Sequence, residues 1–242
     1  ESSGRHLLGL INEVLDVSKI ESGKAQLEET AFDLHGLIEG AVSMVLPTLQ
    51  KKKQTLTVEI GKDVHTQVQS DQQKLRQVLV NILDNASKYT KEGGVIRISL
   101  KDLDKEEFQA GTYQFVIEDN GIGMSAAFID KLYEPFEQEN AEVMPIYEGS
   151  GLGMTIVKSL VKMMKGKIEV KSKKGLGTEF TVYLDFERID EFRLKQDVNR
   201  GKMTSIKGMR ILLVEDHPLN AEIAIKILEK QGCAVDHAKD GA

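Results

Sequence analysis

The chain has no tryptophan, a single cysteine and only short apolar runs, such as Ile211-Leu212-Leu213-Val214. One cysteine, Cys233, excludes an internal disulfide and fits a reducing compartment. The lack of a long apolar run excludes a membrane-spanning helix or a signal-peptide core within these 242 residues, so the chain reads as soluble and cytoplasmic. There is no surplus of positive charge: 32 Lys plus Arg stand against 38 Asp plus Glu, a net charge of −6 that gives no electrostatic reason to expect nucleic acid. No internal repeat and no low-complexity tract occurs. What is present is 40% hydrophobic content, enough for an ordinary globular core in one large or two small domains.

Hydrophobic spacing divides the chain into four stretches, 1–30, 31–187, 188–207 and 208–242. In the first, Leu7, Leu10, Ile11, Val14 and Val17 make the narrow stripe of a bundle helix that Gly23 would stop. In the second, helical spacing runs from Leu34 to Val45, and Pro47 is expected to kink or end that helix. Period-two alternation marks strands at Ile96–Leu100, Ile168–Val170 and Phe180–Leu184, and Tyr113–Ile117 is a more continuously apolar strand. Helices and strands mix without a strict βαβ repeat. The expected fold class is therefore α/β (α+β), a two-layer sandwich of one mixed sheet with helices on one face. Residues 188–207 are charged and read as a linker. The last stretch predicts a buried strand at Met209–Val214, a helix from Leu219 to Gln231 and a short strand from Cys233 to Ala238, an incomplete β-α-β unit.

Ser70 followed by Gln73 is a candidate capping box for a helix starting near Asp71. On that helix Leu75, Val78, Leu79, Ile82, Leu83 and Ala86 share one face. Gln77, Asn81, Asn85 and Lys88 share the opposite one, ahead of Tyr89. Carboxamide oxygens and an ammonium one turn apart suit a hydrated Mg²⁺ and a polyphosphate. A merely solvated polar face is the competing reading, weakened by asparagine's middling helix propensity. A strand then runs into Asp119-Asn120-Gly121-Ile122-Gly123. Its carboxylate is placed to accept from an exocyclic amine of adenine, and its glycines to let backbone approach a flat base. A tight hairpin turn is the alternative. Glu134-Pro135-Phe136 lies in a lid-like stretch, with Phe136 either a latch on the pocket or a plain core residue. Gly149-Ser150-Gly151-Leu152-Gly153 opens a helix from about Met154 to Lys165, where free N–H groups would face a phosphate. It is not a P-loop, having no Gly-Lys-Ser/Thr. Thr178 is either a second contact beside Asp119 or a turn residue. Adjacent Glu215 and Asp216 at a strand end form a candidate Mg²⁺ site, or Asp216 caps the next helix.

Taken in order, N81-I-L-D-N-A-S-K-Y89, D119-N-G-I-G123, E134-P-F136 and G149-S-G-L-G153 resemble the N, G1, F and G2 boxes of sensor histidine kinases. That resemblance implies a Bergerat-type ATP-binding domain. In it Asn85 ligates Mg²⁺, Asn81 is the residue one turn earlier, and Lys88 and Tyr89 contact phosphate and nucleotide. Asp119, Gly121, Gly123, Phe136, Gly149, Gly151, Leu152, Gly153 and Thr178 complete the nucleotide site. The opening H6-L-L-G-L-I-N-E-V-L-D-V-S-K-I-E-S-G-K24 resembles the second helix of a dimerisation hairpin, and I211-L-L-V-E-D-H-P-L-N220 the start of a receiver domain.

The order implies a hybrid histidine kinase that moves ATP's γ-phosphate to a histidine and then to an aspartate. Its partners would be its own dimerisation helices and a receiver or phosphotransfer protein, in a homodimeric parent with a possible membrane anchor. None of the five histidines, at 6, 35, 65, 217 and 237, sits in a His-Glu-x-x-Thr-Pro context, so both acceptors are expected outside this chain. Gyrase- and Hsp90-type ATPases, which the resemblance also touches, carry a glutamate at the Asn81 position, and an amide is no general base. A non-catalytic nucleotide-binding module is the remaining alternative.

Overall fold

A computed structural model of the chain describes Leu15 and residues 26–103, 110–139, 151–189, 208–215 and 218–240. The expected helix over 7–20 lies outside these residues except for Leu15. The chain forms two compact units, Glu1–Glu191 and Phe192–Ala242.

The first unit is a two-layer sandwich. Its elements are β1 (Thr30–Asp33), α1 (Leu34–Lys51), β2 (Thr55–Ile60), β3 (Gln67–Ser70), α2 (Gln72–Tyr89), β4 (Val95–Asp102), β5 (Ala110–Asp119), α3 (Ala126–Ile129), α4 (Gly153–Met163), β6 (Lys167–Lys173) and β7 (Gly177–Arg188). The sheet runs β1-β3-β7-β5-β4-β2, with β6 also paired to β7; only β2 and β4 are parallel. Alternation puts Ile96, Ile98, Leu100, Tyr113, Phe115, Ile117, Phe180, Val182, Leu184 and Phe186 on the inner face, all buried. The outer face carries Arg97, Ser99, Lys101, Gln114 and Glu118. Helices α1, α2 and α4 close the inner face, with α2 packed between the other two.

Three sequence expectations change here. Pro47 neither ends nor divides α1, which runs on to Lys51. Pro47 is on the exposed side of the helix, so the carbonyl it leaves without an amide partner faces water, while Val45 and Leu49 remain buried on either side. The cap of α2 is Asp71 rather than Ser70: one carboxylate oxygen accepts from Lys74 N at 2.9 Å and the other from Glu28 N at 3.0 Å. Finally, the strand expected to be buried near 209–214 is half open. In the second unit β8 (Arg210–Val214) and β9 (Ala234–Ala238) pair in parallel beside α5 (Pro218–Lys230), leaving Leu212 and Val214 67% and 52% exposed. A two-stranded ribbon with one helix cannot cover both of its faces.

Two devices of the first unit fix the exit of β5. At its far end, Arg188 Nη2 meets both oxygens of Asp102 at 2.8 Å, the two side chains being only 8% and 6% exposed. Gly111 leaves the room that guanidinium fills. At the near end, the β6–β7 hairpin lies backbone against backbone on residues 119–123. A Cβ on Gly177 would collide with the Asp119 carbonyl, and one on Gly123 with the Lys173 carbonyl; both glycines hold positive φ, +101° and +61°. Asp102→Ala strands the buried guanidinium, and chemical denaturation should show a loss of about 3–5 kcal/mol; a loss below about 1 kcal/mol would contradict the role given to the pair. Gly123→Ala should cost about 2 kcal/mol or more through strain and collision together, and an unchanged unfolding midpoint would refute that contact.

Candidate functional site

Helix α2 supplies one wall of a cleft of about 200 Å³. Its apolar face, Leu75, Val78, Leu79, Ile82, Leu83 and Ala86, is buried in the core. The opposite face then brings Asn81, Asp84, Asn85, Lys88 and Tyr89 to the cleft. Gln77, on the same polar face, does not line it. Asp84 was not singled out in the sequence, although it stands one turn before Lys88 and opposes the drop in that lysine's pKa. Burial is the main cause of that drop, and it raises the Tyr89 phenol as well. The Lys88 ammonium lies 5.0 Å from the Tyr89 ring centroid, and Asn81 Nδ2 stands 3.5 Å from the Gly153 carbonyl, long for a hydrogen bond.

The floor is the end of β5. Asp119 pairs with Thr178 of β7, and its side chain accepts from Gly121 N at 2.8 Å. Burial holds the Asp119 carboxyl above the usual aspartate range, while the amides of Gly121 and Thr178 pull it back. Asn120 turns away and caps Val95 N at 2.8 Å. The Thr178 hydroxyl bonds Ser172 Oγ at 2.9 Å, which in turn accepts from Met124 N at 2.8 Å. On the side where a Cβ would stand, Gly121 faces the Tyr89 carbonyl and Gly123 the Lys173 carbonyl, while Gly123 also lines the cleft.

Met124, Phe128, Leu132, Met154, Ile122 and Phe180 give the cleft its apolar wall, and Glu137, Gln138 and Glu139 its rim. No sequence pattern marked Met124, Phe128, Leu132 and Glu139 as lining residues, because they come from the mostly irregular chain around the four-residue α3, whereas Met154 opens α4 and Phe180 lies on β7. Ser125 Oγ caps α3 by accepting from Phe128 N at 3.3 Å. The Glu139 carboxylate accepts from Ser125 N at 3.3 Å and lies 3.7 Å from Lys174 Nζ. Thr155 Oγ1 donates to the Tyr133 carbonyl at 3.1 Å, tying this segment to α4.

Phe136 is placed differently from either expectation. Its side chain is 67% exposed and does not line the cleft. Its backbone, at φ +66°, donates to the Gly151 carbonyl at 3.2 Å, and the missing Cβ of Gly151 is what admits it. Gly151 and Gly153 line the cleft at the start of α4, whereas Leu152 is buried beneath them. Gly149 lies outside the described residues, as does Asp216. Glu215 belongs to the second unit, where its amide donates to the Ala238 carbonyl at 3.1 Å. Among the described residues no three His, Cys, Asp or Glu side chains gather as a metal cage. No described helix is long and apolar enough to cross a membrane.

Residues 70–188 match the family of histidine kinase-, DNA gyrase B- and HSP90-like ATPases. Over 99% of its length the chain is 36% identical to the autoinducer 2 sensor kinase/phosphatase LuxQ of Vibrio parahaemolyticus. It is 34% identical, also over 99%, to the sensor protein EvgS of Escherichia coli O157:H7, and 32% identical over 96% to the sensor protein GacS of Pseudomonas syringae. It spans 28%, 20% and 25% of those three relatives, respectively.

Among solved structures, full-length ShkA in complex with AMPPNP aligns over 99% of this chain and 47% of its own, with a TM-score of 0.68 at 24% identity. The Acinetobacter baumannii histidine kinase AdeS aligns over 78% of this chain and 82% of its own, with a TM-score of 0.61 at 22% identity. These likenesses establish the two-layer Bergerat-type sandwich. Residues 70–188 therefore belong to the family of histidine kinase-, DNA gyrase B- and HSP90-like ATPases, within a chain that is similar over nearly its whole length to sensor kinases.

Proposed function

We propose that this chain is the ATP·Mg²⁺-binding core of a hybrid sensor histidine kinase, with Asp119 receiving the adenine amine and Asn85 facing the phosphates through the metal. The observation that carries this reading is that Asp119, Asn85, Lys88 and Tyr89, from two separate elements, face one cleft. An apolar wall of Ile122, Met124, Leu132 and Phe180 suits a flat base. Lys88 then meets phosphate, Thr178 steadies Asp119 through its backbone, and the amides near Gly149, Gly151 and Gly153 cover the polyphosphate.

The acidic lining, Asp84, Glu137 and Glu139 beside Lys88, favours a tetra-anionic tail only when a divalent cation accompanies it. The Asn85 carboxamide, with no cage of three His, Cys, Asp or Glu among the described residues, suits Mg²⁺, which keeps its waters and takes phosphate oxygens. When bound, the ion supplies charge neutralisation on the β- and γ-phosphates; the residues supply position. The γ-phosphate passes to a histidine on a dimerisation hairpin and on to a receiver aspartate, with Glu215 and Asp216 as the start of an acidic metal pocket in a receiver. The parent works as a homodimer with its catalytic domain in the cytoplasm.

Asn81 stands where a hydrolytic relative would need a base, and its amide reaches toward Gly153 instead. That favours phosphotransfer over steady hydrolysis.

Calorimetry with a non-hydrolysable ATP analogue and Mg²⁺ should give saturable binding that Asp119→Ala weakens at least about tenfold, the loss of a hydrogen bond to a charged group. No heat from either protein contradicts the reading. The pH dependence has a definite sign. The carboxylate form accepts the amine, so affinity holds above the raised pKa of Asp119 and falls as pH drops through it, sooner than for an ordinary aspartate. Asp119→Asn should lose that part of the acid limb; an identical limb in both proteins assigns it elsewhere. Incubated alone with γ-labelled ATP, the chain should acquire no acid-labile phosphate, and label on any of its histidines would overturn the placing of the acceptor outside it.

A further inference from the structure

The C-terminal end of α2 is closed by two side chains from the α1–β2 connection, not by the local chain alone. Lys52 Nζ donates to the carbonyls of Ser87, Lys88 and Thr90 at 2.8, 2.7 and 3.1 Å. Gln54 Nε2 donates to Ser87, Thr90 and Lys91 carbonyls at 2.9, 2.8 and 3.3 Å, while its Oε1 accepts from Ser87 Oγ at 2.8 Å. The last carbonyls of a helix have no intrahelical partners and form the negative pole of its dipole. Here that pole sits in the turn that carries Lys88 and Tyr89 into the cleft, which is a poor neighbour for a polyphosphate.

We infer that Lys52, with Gln54, is a positioning residue for anionic nucleotide: its ammonium cancels the negative pole of α2 behind Lys88 and fixes the turn that presents Lys88 and Tyr89. This deepens the nucleotide reading above and rests on it. The Lys52 charge reaches the site through one residue, since its shortest bond is to the backbone carbonyl of Lys88 itself. Burial is the main cause that lowers the pKa of Lys52; the Asp84 carboxylate raises it, and Lys88 lowers it by less. Lys52 is α1's C-cap, so the clasp also links α1 to the end of the α2 wall.

A purely structural cap and an electrostatic one differ in which ligands they affect. Binding of ATP·Mg²⁺ and of uncharged adenosine should be measured calorimetrically for the wild type, Lys52→Met, Lys52→Gln and Lys52→Arg, with thermal unfolding alongside. Lys52→Gln keeps a donor to the carbonyls and drops the charge, which guards against a Lys52→Met protein that does not fold. Loss of the charge should weaken ATP·Mg²⁺ by about tenfold while changing adenosine less than about twofold, with Lys52→Arg restoring most of the affinity and added salt shrinking the difference. Equal losses for both ligands, or unchanged ATP affinity in a folded Lys52→Gln protein, overturn the inference and leave the nucleotide site standing. A wild-type chain that binds neither ligand removes the site itself, and the inference with it.

Discussion

Helix α2 lies between α1 and α4 with Leu75, Leu79, Ile82 and Leu83 fully buried, and a helix held in this way cannot rotate without emptying its own core. A turn by one residue swings every side chain by about 100°, and each large aliphatic side chain withdrawn from such packing costs roughly 2–5 kcal/mol. The polar face inherits that rigidity at no extra cost. Asn81, Asn85 and Lys88 face the cleft because the leucines opposite them cannot face anywhere else. The chemistry of the site is thus set by hydrophobic burial on the other side of one helix.

The second wall is fixed by a different force. The end of β5 is wedged between its β7 partner and the β6–β7 hairpin, with backbone touching backbone at Gly123 and Gly177. No rotamer can relax such a contact, so Asp119 sits at a defined height on a floor that cannot yield. Its burial has an electrostatic cost, visible in the raised pKa, which the amides of Gly121 and Thr178 offset in part. Against these two rigid walls stands the segment 124–139, built from a single four-residue helix and secured by side-chain ties from Glu139 and Thr155.

Much of this was legible in the residues. The strands β4, β5, β6 and β7 and the two site helices alternate or repeat strongly enough to be placed from spacing, and both faces of α2 follow from its sequence alone. The short strands β1, β2 and β3 do not, because four to six half-buried residues give little contrast between faces. Spacing likewise could not show that Gly121 and Gly123 lie against the Tyr89 and Lys173 carbonyls, since a missing Cβ looks the same whatever it admits. The setting of Phe136 is hidden from spacing for a related reason. Its backbone, in a left-handed conformation that its residue type disfavours, carries the contact with Gly151, and no side-chain pattern reports that. Lys52 and Gln54 lie more than thirty residues from the carbonyls they hold, so only the fold brings them together.

The account stands or falls on where a nucleotide settles, and a crystal grown with ADP and Mg²⁺ locates it directly. The base should stack against Ile122 and Met124 with its amine on Asp119, and the ion should sit between the Asn85 amide oxygen and the phosphates. A cleft filled only by protein side chains, or a nucleotide bound away from Asp119, would contradict it.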